Sequence, residues 1–503
     1  MQEPRKLVTA SMLYNHLACP HRVAMDAFGD WRLRDTVSPF VEMLWARGNK
    51  YEAQVIAGLG LEFEDLSTLA GEAKEAATRA MIARGAPLIY NGRLSEGGLL
   101  GEPDLLRREG DGYVAIDIKS GAGEEGGDDG EGGKLKTTYG VQIALYTDLL
   151  TRLGVAAGRY GYIWDVHGQE VRYDLDAPLS QRDPSDTLWT RYLEARFEVG
   201  QLLTQQSRST PAASAVCKLC VWRSACLADI RTADDLTLLP ELGRAKRDAL
   251  CTEFPTVSAL AAADVARYVT EKGKTRFPGI GAVMLRRLQA RARLAVTPQA
   301  QPYFRETVNL PTAPQELFFD IETDPLRDLC YLHGFVLREN GDAVTERFVA
   351  FFAEPETPLA ERDAFAAAWG FIREHAEAVV VYYSKYERTV YRALQAKYPE
   401  VCGAEEIEAL FAAVPERSFD LYFDAVKKSE WPTMDYSVKT LARFCGFQWR
   451  DADPSGASSI QWFDEWVTTR DPAIRQRILD YNEDDCIAMR VVLDRMRGMR
   501  VGL

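Results

Sequence analysis

Residues 317–323 read Leu-Phe-Phe-Asp-Ile-Glu-Thr, an apolar run that carries two acids two positions apart. Because successive side chains of a strand point to opposite faces, Asp320 and Glu322 are expected to share one face. Burying two acids in such a run is unfavourable unless they are paired or bind metal ions. The stretch therefore predicts a core strand with an acidic site on one side.

The pattern around this run changes from strands to helices toward the C-terminus. Short apolar runs predict strands at 317–321, 334–338, 347–352 and 379–383. Longer segments with apolar residues three and four apart predict helices at 360–375, 386–397, 437–444 and 473–496. Residues 316–503 are therefore expected to form one α/β domain.

The predicted last helix supplies partners for the two strand acids. Tyr481 and Asp485 are four residues apart and lie on one helix face. A further acid comes either from Glu387, after a predicted buried strand, or from Asp420, and both alternatives stay open. Four carboxylates so close cannot all stay ionised without cations, so a site for two divalent metal ions is expected.

The D-x-E pair with a late Y-x-x-x-D resembles DEDD-type exonucleases on a ribonuclease-H-like fold. This resemblance implies that the acids hold two metal ions, Mg²⁺ or Mn²⁺, with Glu387 in place of the usual aspartate. It also implies that Tyr481 orients the attacking water. Residues 436–441 and 446–449 complete a pattern seen in a RecB-like family that carries this domain and spans the whole chain in the same order. The alternative is a degenerate fold used for binding.

A second carboxylate cluster lies in the first half of the chain. Gly-Glu-Pro-Asp at 101–104 is followed by Ile-Asp-Ile-Lys at 116–119. The segment alternates as a strand does, so Asp117 and Lys119 share a face that Asp104 can reach from the preceding strand of a hairpin. Two carboxylates beside a lysine can bind metal ions that activate water, while the lysine stabilises the nucleophile. A surface hairpin with an ion pair is the alternative.

This cluster is followed by Gln142 and Tyr146 on one helix face, and the set resembles the PD-(D/E)-x-K nucleases of the RecB class. The resemblance covers residues 1–230 and implies an active site made of Pro103, Asp104, Asp117, Lys119, Gln142 and Tyr146. An upstream helix of that class usually offers a histidine ligand. Tyr51 stands at that position here, and the neighbouring Glu52 is the candidate metal ligand in its place.

Three cysteines cluster at the end of this region. Cys217, Cys220 and Cys226 form C-x2-C-x5-C, and three thiols without a local fourth ligand need a distant partner, either Cys19 or His21. Zinc and iron–sulfur clusters both accept four thiolates. One cysteine before the nuclease core and three after it resemble the iron–sulfur RecB-like nucleases. That resemblance implies a [4Fe–4S] cluster that uses all four cysteines and staples the two ends of the domain.

A basic segment separates the two halves. Residues 236–297 contain eleven lysines and arginines against five acids. The turn Pro-Gly-Ile-Gly at 278–281 precedes a predicted helix at 284–294, and exposed amides at such a helix start can bind a phosphate. The segment resembles a helix-hairpin-helix motif, with a degenerate copy at 239–250. Phosphate contacts are therefore expected from Gly279, Gly281, Arg286 and Arg287. A helical spacer with a solvated charged face is the alternative.

Composition limits the class of protein. The chain has 503 residues, enough for about three domains. Its formal net charge of −14 excludes a bulk basic protein that coats nucleic acid. No apolar run is long enough to span a membrane, and the polar N-terminus favours a cytoplasmic protein. Nine cysteines are too few for a disulfide scaffold, and the acidic segment 121–133 is predicted to be a flexible loop.

Together these features predict an α/β multidomain nucleic-acid enzyme. Its parts are a restriction-endonuclease-like RecB-type core at 1–230, a small all-α helix-hairpin-helix connector at 231–297, a linker at 298–315 and a ribonuclease-H-like domain at 316–503. We expect metal-dependent hydrolysis from the ends of single-stranded or frayed DNA. One alternative is a 3′→5′ exoribonuclease whose RecB-like domain only binds, and another is a non-catalytic clamp for a helicase or repair partner. The sequence has no P-loop, so any motor must come from a partner.

Overall fold

The computed structural model describes residues 6–125, 133–412 and 417–502. The chain divides into two compact units, Met1–Asp229 and Ile230–Leu503. Most of the predicted acidic loop, residues 126–132, lies outside the described residues. Among the described helices, none combines the length and the apolar character that crossing a membrane requires.

The first unit mixes helices and short strands. Its described helices are α1 (Ala10–Ala18), α2 (Pro20–Phe28), α3 (Pro39–Gly58), α4 (Gly71–Arg84), α5 (Thr137–Arg152), α6 (Leu188–Leu203) and α7 (Arg223–Thr232), whose last residues belong to the second unit. Its described strands are β1 (Val8–Thr9), β2 (Glu64–Asp65), β3 (Leu88–Tyr90), β4 (Leu94–Glu96), β5 (Leu99–Gly101), β6 (Leu105–Glu109), β7 (Gly112–Ile118), β8 (Glu124–Glu125), β9 (Lys134–Leu135), β10 (Tyr160–Trp164), β11 (Glu170–Asp174), β12 (Pro178–Ser180) and β13 (Asp183–Thr187).

The main sheet of the first unit has the strand order β11-β10-β7-β6-β3-β2. Strands β6 and β7 form an antiparallel hairpin in which Leu105 faces Ile116. Strand β7 is buried along its whole length. Its odd-numbered side chains, such as Ala115, pack in the cluster that contains α5, and its even-numbered side chains, such as Ile118, pack near α3. Asp117 therefore lies on the face that α5 covers.

The second unit contains the basic segment and the C-terminal domain. Its described helices are α8 (Arg244–Leu250), α9 (Val257–Ala262), α10 (Ala282–Val296), α11 (Pro358–Glu374), α12 (Tyr386–Lys397), α13 (Ala404–Leu410), α14 (Val438–Phe444), α15 (Gly456–Thr469) and α16 (Pro472–Arg497). Its described strands are β14 (Tyr303–Phe304), β15 (Gln315–Asp324), β16 (Leu329–Glu339), β17 (Asp342–Phe352), β18 (Val379–Tyr382), β19 (Ser418–Asp420) and β20 (Ser429–Glu430).

A five-stranded sheet in the order β17-β16-β15-β18-β19 forms the centre of this unit. Strands β15, β16 and β17 are antiparallel neighbours, whereas β15, β18 and β19 run parallel. The odd-numbered side chains of β15, such as Phe319, pack with α11 and α12. Even-numbered Phe318 packs on the other face, with α14, α15 and α16. This alternation directs Asp320 and Glu322 toward α16.

Helix α16 begins where its sequence predicts a start. The Asp471 carboxylate accepts a hydrogen bond from the amide of Ala473 at 2.8 Å, and Pro472 occupies the first helical position. A side-chain cap and a proline at this position both favour a helix N-terminus. The helix then runs for 26 residues and carries Tyr481 and Asp485 to the sheet.

The basic segment contains two similar turns before helices. In Leu-Pro-Glu-Leu-Gly at 239–243 and Phe-Pro-Gly-Ile-Gly at 277–281, the middle residues Glu241 and Gly279 both have left-handed backbone, with φ of 60° and 71°. Helix α8 follows the first turn and α10 the second. The predicted linker is partly structured, because β14 pairs with β20. This pairing joins residues 303–304 to the C-terminal domain.

Candidate active sites

Three carboxylates meet at the centre of the C-terminal domain. Oxygen atoms of Asp320, Glu322 and Asp485 all lie within 4.8 Å of one another. The first two come from one face of β15, and the third comes from α16, as the residue spacing predicts. No other group of three acidic, histidine or cysteine ligands in the described part of the chain has this spacing.

The electrostatics of these acids favour a bound cation. Burial raises the pKa of Asp320, and the charges of Asp485, Glu322 and Glu387 raise it further. Burial and Asp485 raise the pKa of Glu322 to about 8. Carboxylates are hard oxygen ligands, and a divalent cation would relieve their mutual repulsion. The residues present therefore fit Mg²⁺ or Mn²⁺.

The two candidates for the fourth acid have different surroundings. The Asp420 carboxylate Oδ1 accepts hydrogen bonds from the amides of Ser384, Tyr422 and Phe423, each at 3.0 Å. Glu387, at the start of α12, is buried, and its Oε2 atom has no hydrogen-bond partner among the described residues. Burial raises its pKa, with Asp420 adding to the effect. Neither Glu387 nor Asp420 joins the three acids whose oxygens all lie within 4.8 Å of one another. The choice of Glu387 over Asp420 as the fourth acid therefore stays a prediction, favoured by the unpartnered Oε2 of Glu387.

Two side chains that could not be assigned a role from the sequence contact Asp485. The Lys439 Nζ lies 2.8 Å from both carboxylate oxygens of Asp485 and donates to the Tyr481 hydroxyl at 3.0 Å. The Trp449 indole N–H donates to Asp485 Oδ1 at 2.7 Å. Lys439 and Trp449 belong to the segments 436–441 and 446–449, but a lone lysine or tryptophan has no spacing that indicates a site.

The predicted hairpin brings the N-terminal acids together. Asp104 Oδ2 accepts a hydrogen bond from the amide of Ile118 at 2.6 Å, and Lys119 Nζ lies 2.8 Å from Asp117 Oδ2. Burial raises the pKa of Asp104, and the charge of Asp117 adds to this. Burial alone would lower the pKa of Lys119, but Asp117 and Asp104 outweigh it and raise that pKa. The lysine therefore stays charged beside the two acids.

Helix α5 places its two predicted residues over this site. Gln142 and Tyr146 are both buried. Burial, Asp117 and Asp104 raise the pKa of Tyr146. The Gln142 Oε1 atom has no hydrogen-bond partner among the described residues. A buried amide oxygen without a partner is suited to a ligand that can donate a hydrogen bond or to a metal-bound water.

On α3, the side chain that reaches the N-terminal site is Glu52. The Tyr51 hydroxyl donates to the backbone carbonyl of Asp165. Glu52 accepts a hydrogen bond from the Tyr90 hydroxyl at 3.0 Å, and its charge contributes to the raised pKa of Asp104. Glu52 is therefore placed to serve where the histidine of similar nucleases would lie.

The four predicted cluster cysteines line one cavity in the first unit. Cys19 at the end of α1 lies with Cys217, Cys220 and Cys226 around this space, and His21 also borders it. Burial and the neighbouring thiols raise the pKa of Cys226 to about 12. Half-buried thiols that repel one another on ionisation fit a metal group, which would supply positive charge.

The connector residues divide into two groups. Gly279, Gly281 and Arg286 are exposed at the start of α10. Arg287 is instead directed at Glu430, whose Oε1 accepts a hydrogen bond from Arg287 Nε at 2.9 Å. Glu430 is fully buried and also binds Arg291 at 2.6 Å. Arg287 thus pairs a buried carboxylate, and its predicted contact with nucleic acid stays a prediction.

Comparison with protein families identifies two superfamilies in the chain. Residues 8–227 match the model of the PD-(D/E)XK nuclease superfamily, and residues 317–497 match that of the RNase_H superfamily. These matches confirm the predicted α/β class and the order of the two domains. They support a nuclease, which is a hydrolase that acts on nucleic acid. No curated protein matches the chain.

Proposed function

We propose that this chain is a metal-dependent exonuclease that hydrolyses phosphodiester bonds from the ends of single-stranded or frayed DNA. The observation that carries the proposal is the trio of Asp320, Glu322 and Asp485, whose oxygens lie within 4.8 Å of one another. The match of residues 317–497 to the RNase_H superfamily supports the same chemistry.

The residues of the C-terminal site have two proposed roles, metal binding and orientation of the attacking water. Asp320, Glu322, Glu387 and Asp485 would hold two divalent ions, Mg²⁺ or Mn²⁺. When bound, such ions activate water and stabilise the charge on the phosphate. Tyr481 lies one helical turn before Asp485, so its hydroxyl is placed to orient the attacking water.

The N-terminal site is the second candidate centre. Its support is the contact of Lys119 with Asp117 and the position of Asp104 across the hairpin. In the proposal these acids and Glu52 hold a metal ion, while Lys119 stabilises the developing negative charge. Gln142 and Tyr146 close the site from the face that α5 covers.

We also propose a [4Fe–4S] cluster on the four cysteines. The support is that the four cysteines line one cavity and that the neighbouring thiols raise the pKa of Cys226. An iron–sulfur cluster accepts four thiolates. Because Cys19 and Cys226 are far apart in sequence, the cluster would staple the ends of the domain.

The connector and a partner complete the proposal. Gly279, Gly281 and Arg286 would contact the phosphates of the strand, without reading bases. Unwinding of a duplex would come from a helicase partner. Two alternatives remain: an exoribonuclease whose N-terminal domain only binds, and a clamp without catalysis.

One experiment separates these functions. DNA and RNA strands labelled at either end are incubated with Mg²⁺ or Mn²⁺ and the wild type, Lys119→Ala or Asp320→Ala, with Lys397→Ala as the control outside both sites. We expect Asp320→Ala to remove exonuclease activity on DNA. Full activity of Asp320→Ala would contradict the assignment of the C-terminal site. Cleavage of RNA alone would favour the exoribonuclease, and no hydrolysis by the wild type would favour the clamp.

A further inference from the structure

Lys439 forms an ion pair with Asp485, one of the three acids of the C-terminal site. Its Nζ lies 2.8 Å from each oxygen of Asp485 and 3.0 Å from the Tyr481 hydroxyl. The same Nζ lies 4.9 Å from the centroid of the Tyr481 ring and 5.4 Å from that of Trp449. The ammonium is therefore fixed by a carboxylate, a hydroxyl and two aromatic rings.

We propose that Lys439 is a positioning residue that orients Tyr481 and competes with divalent metal ions for Asp485. The inference rests on the proposed function, because it concerns how the same site works. In this account Lys439 limits metal binding at Asp485 and holds the hydroxyl of Tyr481.

Lys439 fixes the direction in which the Tyr481 hydroxyl can donate. An ammonium has only donors, so the tyrosine oxygen accepts its hydrogen bond. The hydroxyl proton must then point away from Lys439. The charged groups that act on this hydroxyl are Asp485, Glu322 and Asp320, and Asp485 is also within hydrogen-bond reach of it. Lys439 thus sets the hydroxyl to donate into the acidic cluster, where the attacking water would lie.

Lys439 also neutralises one acid of the site. Among the described residues, no lysine or arginine forms an ion pair with Asp320 or Glu322, whereas Asp485 is paired with Lys439. The Asp320 carboxylate accepts a neutral amide hydrogen bond from Asn482 Nδ2 at 2.7 Å. A divalent ion that uses Asp485 must therefore displace the lysine or share the carboxylate with it. Removing the lysine charge should tighten metal binding even though it disturbs the tyrosine.

Replacing Lys439 should change metal affinity and turnover in opposite directions, which distinguishes this role from a purely structural one. A residue with only a structural role would weaken metal binding and turnover together. A residue that competes with the metal and orients the tyrosine would tighten metal binding while turnover falls.

The experiment uses the full chain in an Asp104→Asn background, so that the N-terminal acids do not contribute to Mn²⁺ binding. Calorimetry measures Mn²⁺ affinity for Lys439→Met, Lys439→Arg and the control Lys397→Met, which removes a lysine paired with Glu361 elsewhere in the domain. We expect Lys439→Met to tighten Mn²⁺ binding by about threefold or more. Lys439→Arg keeps the charge and should stay near the wild-type affinity, as should Lys397→Met.

Kinetics on an end-labelled single strand give the second measurement. We expect Lys439→Met to lower kcat by about tenfold or more with little change in KM. Because the lysine acts through Tyr481, Lys439→Met with Tyr481→Phe should have nearly the kcat of Tyr481→Phe alone. Unchanged or weaker Mn²⁺ binding by Lys439→Met, or losses that multiply in the double variant, would overturn the proposal. If the wild type hydrolyses no strand, the proposed function fails, and calorimetry alone still decides whether Lys439 competes for Asp485.

Discussion

Gly334 leaves the space that the side chain of Asn482 occupies. The two strands β15 and β16 place Gly334 opposite Asp320, and a Cβ atom built on Gly334 would lie 1.6 Å from Asn482 Oδ1. The backbone angle φ of Gly334 is not in the left-handed region. Glycine is therefore needed at this position because a side chain would clash with Asn482, and not because of the backbone conformation. Because Asn482 donates to Asp320, the glycine indirectly sets the position of a candidate metal ligand.

The first prediction follows from this close approach. Gly334→Ala should lower the free energy of unfolding by about 1–3 kcal/mol, because overpacking forces Asn482 to move. It should also lower nuclease turnover, since Asp320 loses its amide donor. Urea unfolding and the strand assay measure the two effects. The control is Gly370→Ala in helix α11, where nothing lies within 4 Å of the added Cβ. Equal stability of Gly334→Ala and the wild type would contradict this account.

The second prediction decides which acid completes the C-terminal site. Glu387→Gln should weaken Mn²⁺ binding by about tenfold or more, because it removes a charged ligand that has an available oxygen. Asp420→Asn should leave Mn²⁺ affinity nearly unchanged and lower the free energy of unfolding by about 1 kcal/mol, since Asp420 accepts three amide hydrogen bonds. Calorimetry measures the Mn²⁺ affinity of the two variants, and urea unfolding measures their stability. The reverse pattern would make Asp420 the ligand.

Much of the C-terminal domain could be predicted because its signals are local. Helix α12 has the predicted bounds, and the alternation of β15 with the spacing of Tyr481 and Asp485 was enough to predict that the acids meet. The contact of Lys439 with Asp485 spans 46 positions and has no local pattern. In the same way, β14 is defined by backbone pairing with a distant strand. The local sequence, a proline-rich segment, does not indicate a strand there.

Charge counting was least informative in the connector. The excess of basic residues predicted phosphate contacts from both Arg286 and Arg287, but only Arg286 is exposed. Arg287 pairs with Glu430, which lies 143 positions away. Composition cannot separate a solvent-exposed arginine from one that neutralises a buried acid, because the partner is brought near only by the tertiary fold.

The third prediction separates these two arginines. Arg286→Ala should weaken binding to single strands of any sequence and reduce the slope of log affinity against log salt by about one. Arg287→Ala should mainly lower the free energy of unfolding, because it removes one partner of buried Glu430. Fluorescence anisotropy at several salt concentrations and urea unfolding measure the effects. Unchanged binding by Arg286→Ala would make the connector a spacer.

The fourth prediction concerns the cysteine cavity. Protein purified without oxygen should be brown and contain iron and sulfide, and Cys220→Ser should lose iron and destabilise the first unit. Cys251→Ser is the matched control, because Cys251 lies outside the cavity. Metal analysis and absorption spectra provide the measurement. Stoichiometric zinc without iron or sulfide in anaerobic protein would refute the cluster.

The last prediction concerns buried His333 and acid. Burial lowers the pKa of His333 from 6.5 to about 3. Between these values the unfolded chain binds a proton that the folded chain does not, so the stability from this residue is kept above pH 6.5 and lost as the pH falls. The loss between pH 7 and pH 5 should be about 2 kcal/mol. His333→Asn can still bond the Tyr391 hydroxyl, which lies 3.2 Å from His333 Nδ1, and should reduce this loss in urea unfolding. The control His167→Asn replaces an exposed histidine and should leave the loss of stability at low pH unchanged. Equal pH dependence of the wild type and His333→Asn would show that His333 does not cause the loss.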